Sequence, residues 1–164
     1  MSKDTLLGFT GLDRNRVILP LFGQASFDYV INTDGGARNN PGPGGIGFVI
    51  RDFKSGKIIQ QFKKYIGRTT NNCAEYIAVL EGLLFARGMG VKRVKIRSDS
   101  ELLVKQMQGL YRVKDEKLKK YYQEIKRISG DFEIIHYEHV RRTANKEADK
   151  LVNEAIDEYF RDKK

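Results

Sequence analysis

Apolar and polar positions change their period along this chain, and the change divides it into elements. Residues 29–33 (Tyr-Val-Ile-Asn-Thr) form a short apolar run that stops at Asp34-Gly35-Gly36, a turn signal. Residues 38–45 (Arg-Asn-Asn-Pro-Gly-Pro-Gly-Gly) carry almost no side-chain bulk and predict a loop. Residues 46–51 and 57–66 read as two further strands, joined by a turn at Lys54-Ser55-Gly56. Three strands with short connections predict an antiparallel meander. The period then lengthens. Cys73, Tyr76, Ile77, Leu80, Leu83 and Leu84 recur at three and four, which is one face of a helix. Asn72 and Glu75 have capping-box spacing at its start, and Gly88 or Gly90 closes it. Residues 91–96 predict a fourth strand. Ser98, with Glu101 three positions on, opens a second helix that ends at Gln108-Gly109. Residues 114–127 predict a lysine-rich helix with Leu118, Tyr121, Tyr122 and Ile125 as its apolar stripe. A fifth strand at 132–136 and an amphipathic helix at 145–160 complete the series.

Strand–helix–strand steps imply parallel neighbours joined by right-handed crossovers. The expected class is therefore α/β: a mixed five-stranded sheet, three strands antiparallel and the later two added in parallel, with helices on its faces. Residues 27–164 make one domain, in keeping with a length of 164 residues. Residues 1–26 lack a clear period and are read as an N-terminal extension of unknown role, partly ordered, with 17–19 as a candidate extra strand.

Charge narrows the partner. Lys and Arg number 30 against 21 Asp and Glu, a net charge of +9, which points to a polyanion. Within this basic chain, Asp34, Glu75, Asp99 and Asp149 each lie where a strand meets a turn or in the first half of a helix. Singly, each has a plain structural role. Asp34 suits a turn, Glu75 a capping box, Asp99 a helix dipole, and Asp149 a solvated face beside Lys146 and Lys150. If strands one and four are parallel neighbours, however, Asp34 and Asp99 emerge side by side, with Glu75 and Asp149 brought in by helices. Clustered acids then require cations, and carboxylate-held hard ions point to a metal-dependent nuclease. The single cysteine, Cys73, excludes an internal disulfide and falls in an apolar helical pattern, which predicts burial. No apolar run approaches the ~18–20 residues needed to span a bilayer. An intracellular, cytoplasmic monomer without a membrane partner is expected.

Thr33-Asp34-Gly35-Gly36 together with Asn40-Pro41-Gly42-Pro43-Gly44-Gly45-Ile46-Gly47 resembles the first motif of type 1 ribonuclease H. Arg68-Thr69-Thr70-Asn71-Asn72-Cys73-Ala74-Glu75 is similar to the second, Ser98-Asp99-Ser100 to the third, and Asn145-Lys146-Glu147-Ala148-Asp149-Lys150-Leu151-Val152 to the fourth. The resemblance covers residues from about 28 to 160, in order. It implies a ribonuclease H-like fold and an endoribonuclease that cuts the RNA strand of RNA–DNA hybrids, leaving 3′-hydroxyl and 5′-phosphate ends. It also implies two Mg²⁺ (or Mn²⁺) ions held by Asp34, Glu75, Asp99 and Asp149. By similarity, Asn40, Asn71 and Asn72 face the minor groove, and Arg68 and Thr70 grip a DNA-strand phosphate.

Three departures from the family pattern stand out. The loop before the last aspartate, Val140 to Asn145, is short and lacks the histidine many members carry, as in a histidine-lacking branch of the family. His139 belongs to a strand end, and Arg142 is an equal substitute as an auxiliary group. The stretch from Gly109 to Lys114 is too short for a Trp-rich basic protrusion, leaving Lys114, Lys117, Lys119 and Lys120 as replacement charge. Asp115 stands where a phosphate-contacting asparagine is expected. Alternatives are a catalytically silent hybrid or double-stranded RNA binder, a nuclease that also cuts double-stranded RNA, a resolvase or integrase core, and a reverse-transcriptase domain. The intact acids argue against the binder, the paired asparagines beside Glu75 against the resolvase, and Met1 with its own leader for a stand-alone enzyme.

Overall fold

The structure is a computed structural model that describes residues 26–163. The candidate strand at 17–19 lies outside the described residues. Five strands form one sheet: β1 (Tyr29–Ala37), β2 (Gly42–Asp52), β3 (Ile58–Thr69), β4 (Arg93–Ser98) and β5 (Ile134–His139). Their spatial order is β3-β2-β1-β4-β5. The first three pair antiparallel, while β1–β4 and β4–β5 are parallel, as the crossover argument requires. Among the described residues four α-helices accompany the sheet: α1 (Asn71–Gly88), α2 (Glu101–Met107), α3 (Glu116–Ser129) and α4 (Lys146–Asp162). Among the described residues no helix is long and apolar enough to cross a membrane.

The core joins Ile31 and Phe48 of the sheet to Tyr76, Val79 and Leu83 of α1, then passes through Ile96 to Leu103, Ile125 and Tyr137. Cys73 is buried, as its apolar surroundings predict. On α3, Leu118 and Ile125 are buried, and Tyr121 and Tyr122 pack partly against them.

Several element boundaries differ from the sequence expectation, each for a local physical reason. The strand expected to stop at Asp34 continues through Gly35 and Gly36 to Ala37. Its partner β2 begins as early as Gly42, in the segment expected to be a loop. The true turn is only residues 38–41, closed by Arg38 N–H donating to the Pro43 carbonyl at 2.9 Å. Gly35 and Gly47 admit helices rather than bend the chain. A Cβ on Gly35 would stand 2.2 Å from the Ala74 backbone carbonyl of α1, and one on Gly47 would stand 2.6 Å from Cβ of Leu151 in α4.

The cap of α1 is Thr70, whose Oγ1 accepts from Cys73 N–H at 3.2 Å, so Asn72 and Glu75 form no capping box. Ser98 ends β4 and is buried. The next helix is capped instead by Ser100, which accepts from Leu103 N–H. Asp115 caps α3 through Oδ1, accepting from Lys117 and Leu118 N–H at 2.9 and 3.0 Å, so that helix starts later than expected. β5 runs beyond His136 to His139 because its parallel ladder with β4 persists to Ser98.

Gly35→Ala must push α1 off β1 and should destabilise the protein by about 2–3 kcal/mol. Gly36→Ala, whose new methyl would meet nothing nearer than 3.7 Å, should cost under about 1 kcal/mol. Equal shifts of the urea midpoint for the two variants would refute the close-approach role of Gly35.

Candidate active site

Asp34 sits near the end of β1, and Asp99 is the first residue beyond β4. Thr33 and Ser98 are register partners in the parallel pair, so the two aspartates that follow stand side by side where that pairing ends. Gly35 admits α1, which carries Glu75 to the same edge. Carboxylate oxygens of Asp34, Glu75 and Asp99 lie within 4.8 Å of one another. Asp149, in the first turns of α4, is exposed and lines the same cleft without joining that tight group. The structure thus divides the expected set of four into three that lie close together and one, Asp149, that lines the same cleft outside that group. The cleft measures about 660 Å³ and is also lined by Arg38, Asn71, Asn72, Ser100, Arg142 and Asn153.

Three acids this close disfavour full ionisation. Burial, followed by the charges of Asp99 and Asp149, pushes the Asp34 carboxyl up to about 7. A hydrogen bond with Glu75 and the Gly35 N–H pull the other way. Glu75 is driven well above the ordinary carboxylate range by burial and then by the charges of Asp34 and Asp99. Its Oε2 is sealed from solvent and has no hydrogen-bond partner. An unpartnered buried carboxylate oxygen beside two further carboxylates is costly by itself and matches a cation. The all-oxygen donor set suits Mg²⁺ or Mn²⁺ rather than a soft metal.

The expected substrate residues lie along clefts that adjoin the acids. Asn40 Oδ1 accepts from Asn71 N–H at 3.0 Å, and Asn71 Oδ1 accepts from Ala37 N–H at 2.8 Å, tying the β1–β2 turn to the start of α1. Both amide oxygens are therefore engaged within the protein, while each NH₂ group remains as a donor. Asn72 is exposed and is shared by the acidic cleft and a neighbour of about 670 Å³ containing Asn40, Thr70, Asp115 and Lys117. A third cleft of about 600 Å³ brings together Arg68, Thr70, Lys117, Lys120 and Tyr121. Of the four candidate lysines, Lys117 and Lys120 face this trough, whereas Lys119 pairs with Glu116 at 3.0 Å.

The auxiliary candidates separate. Arg142, in a 3-10 turn (Arg142–Ala144), lines the acidic cleft. His139 ends β5, and its Nε2 lies 3.2 Å from the Asp99 carbonyl oxygen. Sequence reasoning missed Arg38. Asp157 of α4 holds it at 2.7 Å and the Asn153 carbonyl lies at 3.4 Å, so its partners belong to a remote segment with no local signal.

A mixed five-stranded sheet that gathers carboxylates where its central parallel strands end is the ribonuclease H-like architecture. Comparison with known proteins agrees. The family described as reverse transcriptase-like matches residues 32–155. A bifunctional protein of Mycobacterium tuberculosis, Rv2228c, is 41% identical over 128 residues, 78% of this chain and 35% of the relative. Ribonuclease HI of Halobacterium salinarum is 36% identical over 125 residues, 76% of this chain and 62% of the relative. This chain thus spans about a third of the first relative's length and under two thirds of the second's.

Among solved structures, LC11-RNase H1, isolated from compost by a metagenomic approach and crystallised with an RNA/DNA hybrid, has a TM-score of 0.77 and 44% identity. The match covers 80% of this chain and 99% of that one. The N-terminal RNase H domain of Rv2228c has a TM-score of 0.79 and 38% identity, covering 85% and 100%. The chain belongs to the reverse transcriptase-like family and, within it, to the type 1 ribonuclease H group.

The raised Asp34 pKa carries a stability prediction. Between the unfolded value near 4 and about 7, the folded state keeps a proton that the unfolded state has released. Stability of the metal-free protein therefore falls as pH rises, by about 1.4 kcal/mol per pH unit from this proton. In EDTA, Asp34→Asn should gain on the wild type between pH 5 and 8 by about 1–3 kcal/mol. For a chain of this size that is several degrees in Tm. Added Mg²⁺ should raise the wild-type Tm and leave the variant nearly unmoved. A pH-independent difference in EDTA would contradict the strained acid cluster.

Proposed function

We propose that this chain is an endoribonuclease that hydrolyses the RNA strand of RNA–DNA hybrids. The observation that carries the reading is the partnerless, buried Glu75 Oε2 beside Asp34 and Asp99, adjoining a trough of amide and cationic groups in a chain of net charge +9. Held by Asp34, Glu75, Asp99 and Asp149, two divalent ions (Mg²⁺ or Mn²⁺) would supply Lewis-acid charge for the attacking water and the leaving 3′-oxygen, giving 3′-hydroxyl and 5′-phosphate ends.

The remaining chemistry falls to the protein's own groups. With their oxygens engaged internally, Asn40 and Asn71 present only NH₂ donors, which match 2′-hydroxyl oxygens and base-edge acceptors in the wide minor groove of a hybrid. Asn72 offers an unrestricted amide beside them. Arg68, with Lys117 and Lys120 near it, binds phosphate of the DNA strand. The Thr70 hydroxyl oxygen accepts from Cys73 N–H and keeps its own proton for a phosphate oxygen. Arg142 stands in for the loop histidine that this short-loop chain lacks. Its guanidinium supplies charge and cannot shuttle protons at neutral pH.

The direct test is a gel assay with end-labelled hybrid and with matched RNA–RNA and DNA–DNA duplexes, in Mg²⁺ and then EDTA. Metal-dependent cutting of RNA in the hybrid alone, with 5′-phosphate ends, is the expected result. Cleavage of double-stranded RNA as well would mean relaxed reading of the second strand, with the Asp115 carboxylate in its wall. Binding without cleavage in any metal would refute the enzyme.

Asp34→Asn and Asp99→Asn should each abolish cleavage while hybrid binding persists, and retained turnover by either would remove that aspartate from the site. His139→Ala should change the rate less than ~10-fold, below the ~10²–10⁴ of a general acid–base group. A hundredfold fall would return His139 to the mechanism.

A further inference from the structure

Asp149 differs from the other acids in its support. Asp34 and Asp99 are placed by β1 and β4, but Asp149 rides on α4, and its place depends on how that helix begins. Asn145, at the cap position of α4, makes no side-chain bond to its own helix. It is 1% exposed, and its amide turns into the protein instead. Nδ2 donates to the Thr33 carbonyl at 2.9 Å, and Oδ1 accepts from Asn32 Nδ2 at 3.0 Å. Asn32 and Thr33 are themselves buried and immediately precede Asp34 on β1. On its other side, the Asn145 carbonyl accepts from Asp149 N–H at 3.1 Å, and its N–H donates to the Arg142 carbonyl at 3.0 Å. One residue therefore ties the strand of Asp34 to the backbone of both Asp149 and Arg142, two groups carried by the segment that follows β5 in the chain.

An apolar pair would fill this space at little cost to folding, because exchanging both buried hydrogen-bonding partners for apolar groups is often close to neutral. A satisfied amide pair adds direction, since its bonds hold only over a narrow range of distance and angle. Catalytic groups need placement to about 0.5 Å, and a small shift of the α4 start moves Asp149 with it. We infer that Asn145, braced by Asn32, is the positioning residue that sets Asp149 and Arg142 against Asp34. This inference rests on the proposed metal-dependent function.

The test compares the full chain with Asn145→Ala, Asn32→Val and a control, Ile128→Ala. The control truncates the core near the start of β5, at the end of the sheet away from the acids. Each protein is melted with and without Mg²⁺ alone, and the Mg²⁺ dependence of hybrid cleavage is measured at a temperature where all are folded. Asn145→Ala and Ile128→Ala should both lower Tm. Only Asn145→Ala should shrink the Mg²⁺-induced rise in Tm and increase half-saturating Mg²⁺ by about 10-fold or more, with KM for hybrid within about twofold of wild type. Asn32→Val, which leaves the bond to Thr33 in place, should move both readouts the same way by less. If Asn145→Ala fails to fold, Asn32→Val decides by the same readouts. A wild-type Mg²⁺ midpoint in the asparagine variants, or an equal shift in Ile128→Ala, overturns the positioning role. A wild-type chain that neither responds to Mg²⁺ nor cleaves overturns the proposed function and this role with it.

Discussion

The register of the parallel pair β1–β4 is the constraint on which the cleft depends. With Thr33 opposite Ser98, Asp34 and Asp99 stand at one level where the parallel pairing ends. Side chains on a strand alternate faces, so a slip by one residue would turn one aspartate away and also expose Ile31 or Ile96, both fully buried here. The apolar core and the acidic site therefore demand the same register. Burial of Ile31, Val94 and Ile96 holds together two carboxylates that would otherwise repel.

The helices join the site through contacts the sheet makes possible. Gly35 lets α1 approach to backbone distance, bringing Glu75 beside Asp34, and Gly47 lets α4 approach β2. Mutual repulsion and loss of water raise the pKa values of Asp34 and Glu75, a local cost that the surrounding core offsets. Sites that sacrifice local stability for chemistry are expected where a ligand restores the balance. Under the proposed function, a divalent cation would supply the balancing charge and the excess of Lys and Arg would suit the nucleic acid.

Asparagine does three separate jobs around this cleft. Asn40 and Asn71 use their oxygens to fasten a turn to a helix and turn their NH₂ groups outward. Asn145 uses both ends of its amide inside the protein, one of them on Asn32 Nδ2, and so braces α4 against β1. Asn72 is exposed and available to a partner. A side chain that both donates and accepts is suited to all of these, and only its surroundings determine which applies.

Elements set by neighbours a few residues away were legible in the chain. The period-three-and-four stripe of α1, the apolar strand entering Asp34, the strand–helix–strand order that makes β1 and β4 parallel, and the four acidic motifs are all local patterns. Gly35-Gly36 signals a turn locally, whereas both residues continue β1 and Gly35 makes room for Ala74, a residue distant in sequence. The cap of α1 fell to Thr70 rather than to Asn72 and Glu75, since spacing alone does not say which hydroxyl or amide meets the free N–H groups. The separation of Asp149 from the other acids, the hold of Asp157 on Arg38, and the Asn32–Asn145 brace leave no trace in any periodicity. The sequence by itself determined the elements, their order and which residues carry charge, because those follow from local backbone and solvation preferences. Tertiary structure alone decided which groups touch, because contact between distant segments depends on how closely their backbones pack.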